Sequence, residues 1–244
     1  MVIFRNIPAA IKLITSLRYL KRYKKNIEDA KLSGDTEKER ENILLCMKDW
    51  SPRITGALGV DLNVTGRENL PTEGPVVFVS NHQSYADILA LCASIDTIPF
   101  GFIAKEEIKK IPFYGKWLIR IRSVLMKRGD ARASLKAILE GIDLINQGFS
   151  LLIFPEGTRS KGGPMIHFKK GALKLATKPK VPIVPITLNG TYRLYEETGV
   201  MRGAHVDVII HPAIETKDLD KQAERELSDR VENIIRSGLL PPAN

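Results

Sequence analysis

The sequence holds only two cysteines among 244 residues, Cys46 and Cys92, and both sit among apolar neighbours. Neither has zinc-ligand spacing around it, so neither a disulfide framework nor a structural zinc site organises the chain. Two reduced, buried thiols are expected instead. No stretch reaches the roughly 18 to 20 uninterrupted apolar residues that span a bilayer. The opening segment, MVIFRNIPAAIKLITSLRYLKRYKK, lacks a compact apolar core followed by a small-residue cleavage site, which makes it a poor secretory signal. Internal repeats and low-complexity segments are missing. So are zinc-finger spacing, a helix-turn-helix signature and an aromatic-rich RNA-binding motif, which argues against a basic nucleic-acid-binding module. Acid is scarce in two places: none precedes Glu28, and none lies between Gly157 and Tyr195.

What is present is ordinary globular material, 43% hydrophobic and 27% charged, enough for one large α/β domain with a small appendage. The formal charge of +9 calls for an anionic partner. An anionic membrane surface, a phosphorylated substrate and nucleic acid all satisfy it, and charge alone does not choose.

Near the N-terminus, Ile3, Ile7, Ile11, Ile14 and Leu17 recur at spacings of three and four, the helical period. Val2, Phe4, Leu13 and Leu20 widen the stripe, and Arg5, Lys12, Arg18, Lys21, Arg22, Lys24 and Lys25 supply cations beside it. Pro8 marks either a first turn or a kink. After Ser33-Gly34-Asp35 a second helical pattern runs from about Thr36 to Trp50, with Ile43, Leu44, Met47 and Trp50 on one side. Residues 1–55 therefore read as an amphipathic αα-hairpin, and 56–244 as the α/β domain. A wide apolar face beside acid-free basic charge fits a helix lying in a membrane interface. Packing of both helices on the main domain satisfies the same pattern.

From Leu62 the pattern alternates between short apolar runs and longer helical ones. Strands are expected at 62–65, 76–80, 101–104, 123–126, 151–154, 183–188 and 205–210. Helices are expected at 85–93, 111–119, 131–146, 171–177 and 218–237. This is the pattern of an α/β fold with a largely parallel mixed sheet flanked by helices. In such folds ligands gather at the carboxyl ends of strands.

Two of those ends carry unusual residues. The run Val76–Val79 ends at Asn81-His82-Gln83-Ser84-Tyr85-Ala86-Asp87, with Ser84 placed to cap a helix whose third position is Asp87. Residues five apart on one helix point about 140° away from each other. His82 and Asp87 meet only if His82 lies in the turn before the helix. A His oriented by a carboxylate is a general base, here without a serine nucleophile of its own, so the substrate would bring the hydroxyl. The plainer reading is a capping Asp beside an ordinary His. The run Leu151–Phe154 ends at Pro155-Glu156-Gly157-Thr158-Arg159-Ser160, where Arg159 can take a phosphate bidentately and Glu156 can accept from a hydroxyl. The acid-free basic run that follows, Lys161, Lys169, Lys170, Lys174, Lys178 and Lys180, favours an anionic ligand over a solvated face of mixed sign. Lys105 and the Lys127-Arg128 pair end two further strands. Pro182 and Pro185 shape the entry to the run at 183–188 and bend it. His167, His205 and His211 are expected to be structural or surface residues.

In this order the segments resemble the 1-acyl-sn-glycerol-3-phosphate (lysophosphatidate) acyltransferase family. Its four blocks match Asn81–Asp87, the apolar run Val124–Arg128, the complete Phe154-Pro155-Glu156-Gly157-Thr158-Arg159-Ser160 and Val181-Pro182-Ile183-Val184-Pro185. The resemblance covers about Leu62 to His211. It departs mildly at Lys127, where an acidic residue often precedes the Arg.

The resemblance implies a glycerolphosphate acyltransferase-like fold. It makes His82 the base and Asp87 its orienting partner, with Arg128, Glu156, Gly157 and Arg159 on the acceptor's phosphate and glycerol. Lys105 would contact the phosphate or the thioester carbonyl, and backbone N–H groups near Gly157 or Lys105 would hold the oxyanion. The implied reaction moves a fatty acyl group from acyl carrier protein or coenzyme A thioester to the sn-2 hydroxyl of lysophosphatidate. It needs no metal, no cofactor and no covalent enzyme intermediate. Glycerol-3-phosphate or another lysophospholipid is the alternative acceptor. A monotopic place on the cytoplasmic face of the cell membrane goes with such substrates.

Overall fold

Gly34, at φ +73°, ends one helix in the left-handed conformation, and Asp35 caps the next by accepting from the Lys38 N–H at 3.0 Å. That turn makes the N-terminal hairpin. In the computed structural model, which describes residues 2–111, 113–127 and 129–240, one arm consists of α1 (Val2–Arg5), α2 (Ile7–Tyr19) and α3 (Lys21–Ser33). The other arm is α4 (Thr36–Leu58). Pro8 falls in the first turn of α2, where its missing N–H costs nothing. The helix expected to stop near Trp50 continues to Leu58, carrying Pro52 within it, so the boundary expected at residue 55 falls inside α4.

The chain then forms β1 (Val60–Thr65), β2 (Val77–Ser80), α5 (Asp87–Ser94), β3 (Phe100–Lys105), α6 (Tyr114–Arg120) and β4 (Val124–Met126). It continues through α7 (Ala131–Asn146), β5 (Ser150–Ile153), α8 (Lys174–Thr177), β6 (Ile183–Asn189), β7 (Ala204–Ile210) and α9 (Lys221–Ser237). Every expected strand forms, and together they make one seven-stranded sheet in the order β1-β7-β6-β2-β5-β3-β4. The five from β6 to β4 are parallel, β7 is antiparallel to β6, and β1 is parallel to β7. The fold is the largely parallel α/β sheet that the alternation implied.

The central strands β2, β5 and β6 are buried at every residue, as expected where helices cover both faces. Pro185 sits in central β6 without breaking it. Its carbonyl accepts the His211 N–H at 3.0 Å, just beyond the end of the β6–β7 ladder, so its missing donor faces the place where that ladder has stopped. Phe78 points into one half of the core, with α5, α6 and the hairpin. Val77 and Val79 point into the other, with α8 and α9.

The hairpin resolves into two faces. Leu17, Leu20, Ile27, Ile43, Met47 and Trp50 are buried in the core half that contains Phe78. Trp50 and Trp117 meet with ring centroids 4.7 Å apart. The Ser51 hydroxyl donates to the Cys92 carbonyl at 2.9 Å, and Arg122 grips the buried Glu39 carboxylate with two bonds of 2.7 and 2.6 Å. Phe4, Ile7, Ile11 and Ile14 remain exposed, at 75, 44, 56 and 45%. The apolar stripe read from the sequence is thus divided between core and solvent. Ile3's side chain and Arg128 lie outside the described residues. Among those described, no helix is long and apolar enough to cross a membrane.

Because Trp50 is wholly buried, Trp50→Ala is expected to cost about 3–5 kcal/mol. A urea unfolding midpoint lowered to match, at unchanged slope, would confirm that α4 belongs to the main core. A small loss would show that the hairpin folds apart from it.

Candidate active site

Strand register sets the site. Val79 of β2 is level with Ile153 of β5 and with Pro185 of β6. Three residues beyond that level stand His82, Glu156 and Leu188. The His82 N–H donates to Glu156 Oε1 at 2.6 Å, and its carbonyl accepts the Ser160 N–H at 2.8 Å. Asn81 exchanges two bonds with the backbone of Leu188, at 2.9 and 2.7 Å. Gln83 Oε1 accepts the Gly190 N–H at 3.0 Å. The loop after β2 is therefore fastened through the His82 backbone to the loop after β5, and through the Asn81 and Gln83 side chains to β6 and Gly190.

His82 Nδ1 lies 2.7 Å from Asp87 Oδ2, and the imidazole stacks on Phe154 at 4.1 Å and 16°. A carboxylate oxygen only accepts, so Nδ1 carries the proton and Nε2 keeps the free lone pair. The same Oδ2 accepts the Gln83 and Ser84 N–H groups at 2.8 and 3.0 Å. Asp87 Oδ1 is buried without a protein donor among the described residues. His82 does lie in the turn before α5, as the five-residue spacing required. Of the reciprocal capping-box bonds only one forms: Asp87 takes the Ser84 N–H, but Ser84 Oγ accepts the Ala86 N–H at 3.0 Å instead of the Asp87 N–H. Regular helix nevertheless begins only at Asp87, because the two residues before it form a turn.

Glu156 has a different placement from the one expected. Instead of facing a ligand hydroxyl it is 2% exposed, with its two oxygens on the His82 and Ile166 N–H groups at 2.6 and 2.8 Å. Burial pushes its carboxyl up, and those two bonds oppose the rise. Gly157, at φ +70°, donates its N–H to the Phe154 carbonyl at 3.0 Å, so that group is engaged in the turn and not open to an oxyanion. A Cβ on Gly157 would meet Lys169 Nζ at 2.7 Å, which places this ammonium over the turn.

Arg159 donates through Nη1 to Glu196 Oε1 at 2.5 Å and lies 3.4 Å over the Tyr85 ring. Glu196 also takes the Ser84 hydroxyl at 2.5 Å and the Tyr85 N–H at 3.0 Å. Sequence reasoning missed Glu196. Its one local signal is that it ends the acid-free run, and only the fold brings it to Arg159. Lys105 closes β3 at the same sheet edge, its ammonium 3.0 Å from Glu107 in a pair exposed enough to release it. Lys127 follows β4 at that edge. His167 bonds to Glu232, His205 to Asp61 and Asp207, and His211 to Thr187, in keeping with structural or surface roles. Among the described residues no cluster of His, Cys, Asp and Glu is arranged to hold a metal.

A largely parallel α/β sheet that brings a carboxylate-bound His and a guanidinium to two neighbouring strand ends offers the framework of a transferase or hydrolase site. The comparisons narrow this: the Acyltransferase family matches residues 61–189, more than half of the chain, and the chain belongs to that family. The chain is 40% identical over 163 residues to the chloroplastic 1-acyl-sn-glycerol-3-phosphate acyltransferase LPAT1 of Arabidopsis thaliana, covering 65% of this chain and 45% of that one. To the 1-acyl-sn-glycerol-3-phosphate acyltransferase of Borreliella burgdorferi it is 32% identical, covering 72% and 71%. The crystal structure of the 1-acyl-sn-glycerophosphate acyltransferase PlsC from Thermotoga maritima superposes with a TM-score of 0.74 at 28% identity, covering 98% of this chain and 96% of that one. The chain spans about half the length of the plant and algal relatives it matches.

Asp87→Asn keeps the shape and removes the charge. It is expected to lower kcat by about 10,000-fold, because the amide no longer fixes the Nδ1-protonated tautomer. Single-turnover acyl transfer measures it, and a loss below tenfold would leave Asp87 as a helix cap only.

Proposed function

We propose that the protein transfers a fatty acyl group from a thioester to the sn-2 hydroxyl of lysophosphatidate, giving phosphatidate. One observation carries the proposal: the His82 imidazole, with Nε2 free, is tied through its own backbone to the loop that bears Arg159. In this reading Arg159 holds the acceptor's phosphate while the hydroxyl reaches Nε2. His82 takes the proton as the oxygen attacks the thioester carbonyl, and Asp87 stabilises the imidazolium. The tetrahedral oxyanion collapses and expels the thiol, which recovers the proton from His82. In this reading Lys169, which lies over the Gly157 turn, and Lys105, at the end of β3, would meet the oxyanion or a phosphate. The relatives' names, 1-acyl-sn-glycerol-3-phosphate acyltransferases, support this acceptor over glycerol-3-phosphate. The donor is the thioester of acyl carrier protein or of coenzyme A. Both are anionic, and Lys161, Lys169, Lys170, Lys174, Lys178 and Lys180 are all exposed to meet them.

Attachment to an anionic leaflet belongs to the same proposal, on the cytoplasmic face and without crossing. The exposed Phe4, Ile7, Ile11 and Ile14 would enter the interface while Arg5, Arg18 and Lys21 meet headgroups. Each cation near the surface contributes about 1 kcal/mol.

The experiment is acyl transfer to lysophosphatidate with His82→Ala beside the wild type. Phosphatidate formation is expected to vanish in the variant, and formation that survives would retire the mechanism. Separately, Ile11→Asp with Ile14→Asp is expected to leave thermal stability within about 1 kcal/mol, since both are exposed. Binding to vesicles of phosphatidylglycerol should fall at least about tenfold. Undiminished flotation with the vesicles would place the membrane contact elsewhere.

A further inference from the structure

The acid-free run ends at Glu196, in the segment that follows β6, beyond the residues that match the family. Its side chain is 3% exposed. It bridges the two loops that carry the chemistry. Oε2 takes the Ser84 hydroxyl, Oε1 takes the Tyr85 N–H, and Oε1 also takes Arg159 Nη1. Tyr85 then closes one face of the guanidinium at 3.4 Å, and the Tyr195 ring stands 6.5 Å from Tyr85. Arg159 is thus held by one nitrogen and one face, and among the described residues no hydrogen bond occupies Nε or the second terminal nitrogen. Ser84 and Tyr85 are the second and third residues after His82, so the anchor that fixes Arg159 is part of the loop that fixes the base.

We propose that Glu196 is a specificity-determining positioning residue: it sets the separation between the Arg159 guanidinium and His82, and so decides which acceptor hydroxyl reaches the base. This rests on the reading of Arg159 as the phosphate holder. In a glycerol phosphate the sn-2 hydroxyl stands on the carbon next to the one bearing phosphate, and the sn-1 hydroxyl one carbon farther. A guanidinium pinned at fixed reach selects between them. One free to swing serves both.

The test uses two ether acceptors that cannot migrate, 1-O-alkyl- and 2-O-alkyl-glycerol-3-phosphate, with free sn-2 and sn-1 hydroxyls respectively. Glu196→Gln is expected to raise KM for the 1-O-alkyl acceptor about tenfold and to lower the preference between isomers about tenfold, with a smaller change in kcat. Arg159→Lys, with Glu196 intact, should lose preference similarly, because an ammonium cannot hold Glu196 and phosphate in one fixed plane. That variant carries the test if Glu196→Gln fails to fold. In an Arg159→Ala background Glu196→Gln should add little, since it acts through the guanidinium. A Glu196→Gln enzyme with reduced kcat but unchanged KM and unchanged preference would overturn the proposal and leave Glu196 a structural tie. If Arg159→Ala raises KM while Glu196→Gln and Arg159→Lys both keep the wild-type preference, the proposal alone fails. If Arg159→Ala leaves KM unchanged, the phosphate reading fails and takes the proposal with it.

Discussion

Two hydrogen bonds on the backbone of one residue hold the site together: the His82 N–H on the buried Glu156 carboxylate and the His82 carbonyl on the Ser160 N–H. Both loops leave parallel strands that are level at Val79 and Ile153, so each reaches the same height at the third residue. A slip of one residue between β2 and β5 would turn each side chain to the opposite face and break both bonds. His82 is therefore located by the sheet, and α5 contributes the carboxylate that orients its ring. The position of His82 is as rigid as the two central strands that carry it, which are buried throughout.

The constraint explains what the chain disclosed by itself. Contacts within about one helical turn were legible: a His in the turn before a helix and an Asp within its first residues can hardly avoid meeting, and they do at 2.7 Å. The strands were legible because buried parallel strands are short apolar runs between turn residues. Strand order was not, since periodicity contains no information about neighbours. Glu156 was misread for the same reason. A carboxylate after a strand reads as a ligand contact until the neighbouring strand supplies backbone N–H groups for it. Glu196 was invisible because it meets Arg159 only through the fold, 37 residues along the chain.

The hairpin shows why amphipathicity alone could not decide between packing and membrane. The packing reading accounts for part of the apolar surface, and the rest is left exposed. Leu17 and Leu20 turn inward with Trp50, and Ile7, Ile11 and Ile14 turn outward. A stripe wider than one packing interface needs can serve a core and still leave an apolar margin. Because α4 shares the core half with Phe78, that margin is fixed to the sheet whose strand ends form the site. The same helix that stabilises the domain can then set its orientation at a lipid surface.

Charge is partitioned at this site by depth. Asp87, Glu156, Glu196 and Glu232 all come to the loops around His82, and each has a buried side chain that accepts backbone N–H groups. Burial alone would raise the Glu232 carboxyl, but the Phe168 N–H, Arg236 and His167 outweigh it and hold it low. These acids serve as internal struts, each accepting from N–H groups that a loop otherwise leaves without partners. The lysines of the same loops are all on the surface. Acid on that surface would pair with them and compete with an incoming anion. Withholding acid from 157 to 195 keeps the exposed side of the loops cationic, while the carboxylates that hold them in shape, Asp87, Glu156, Glu196 and Glu232, lie outside that run. The lysines of that run therefore stand on the surface of the loops, with buried carboxylates beneath them.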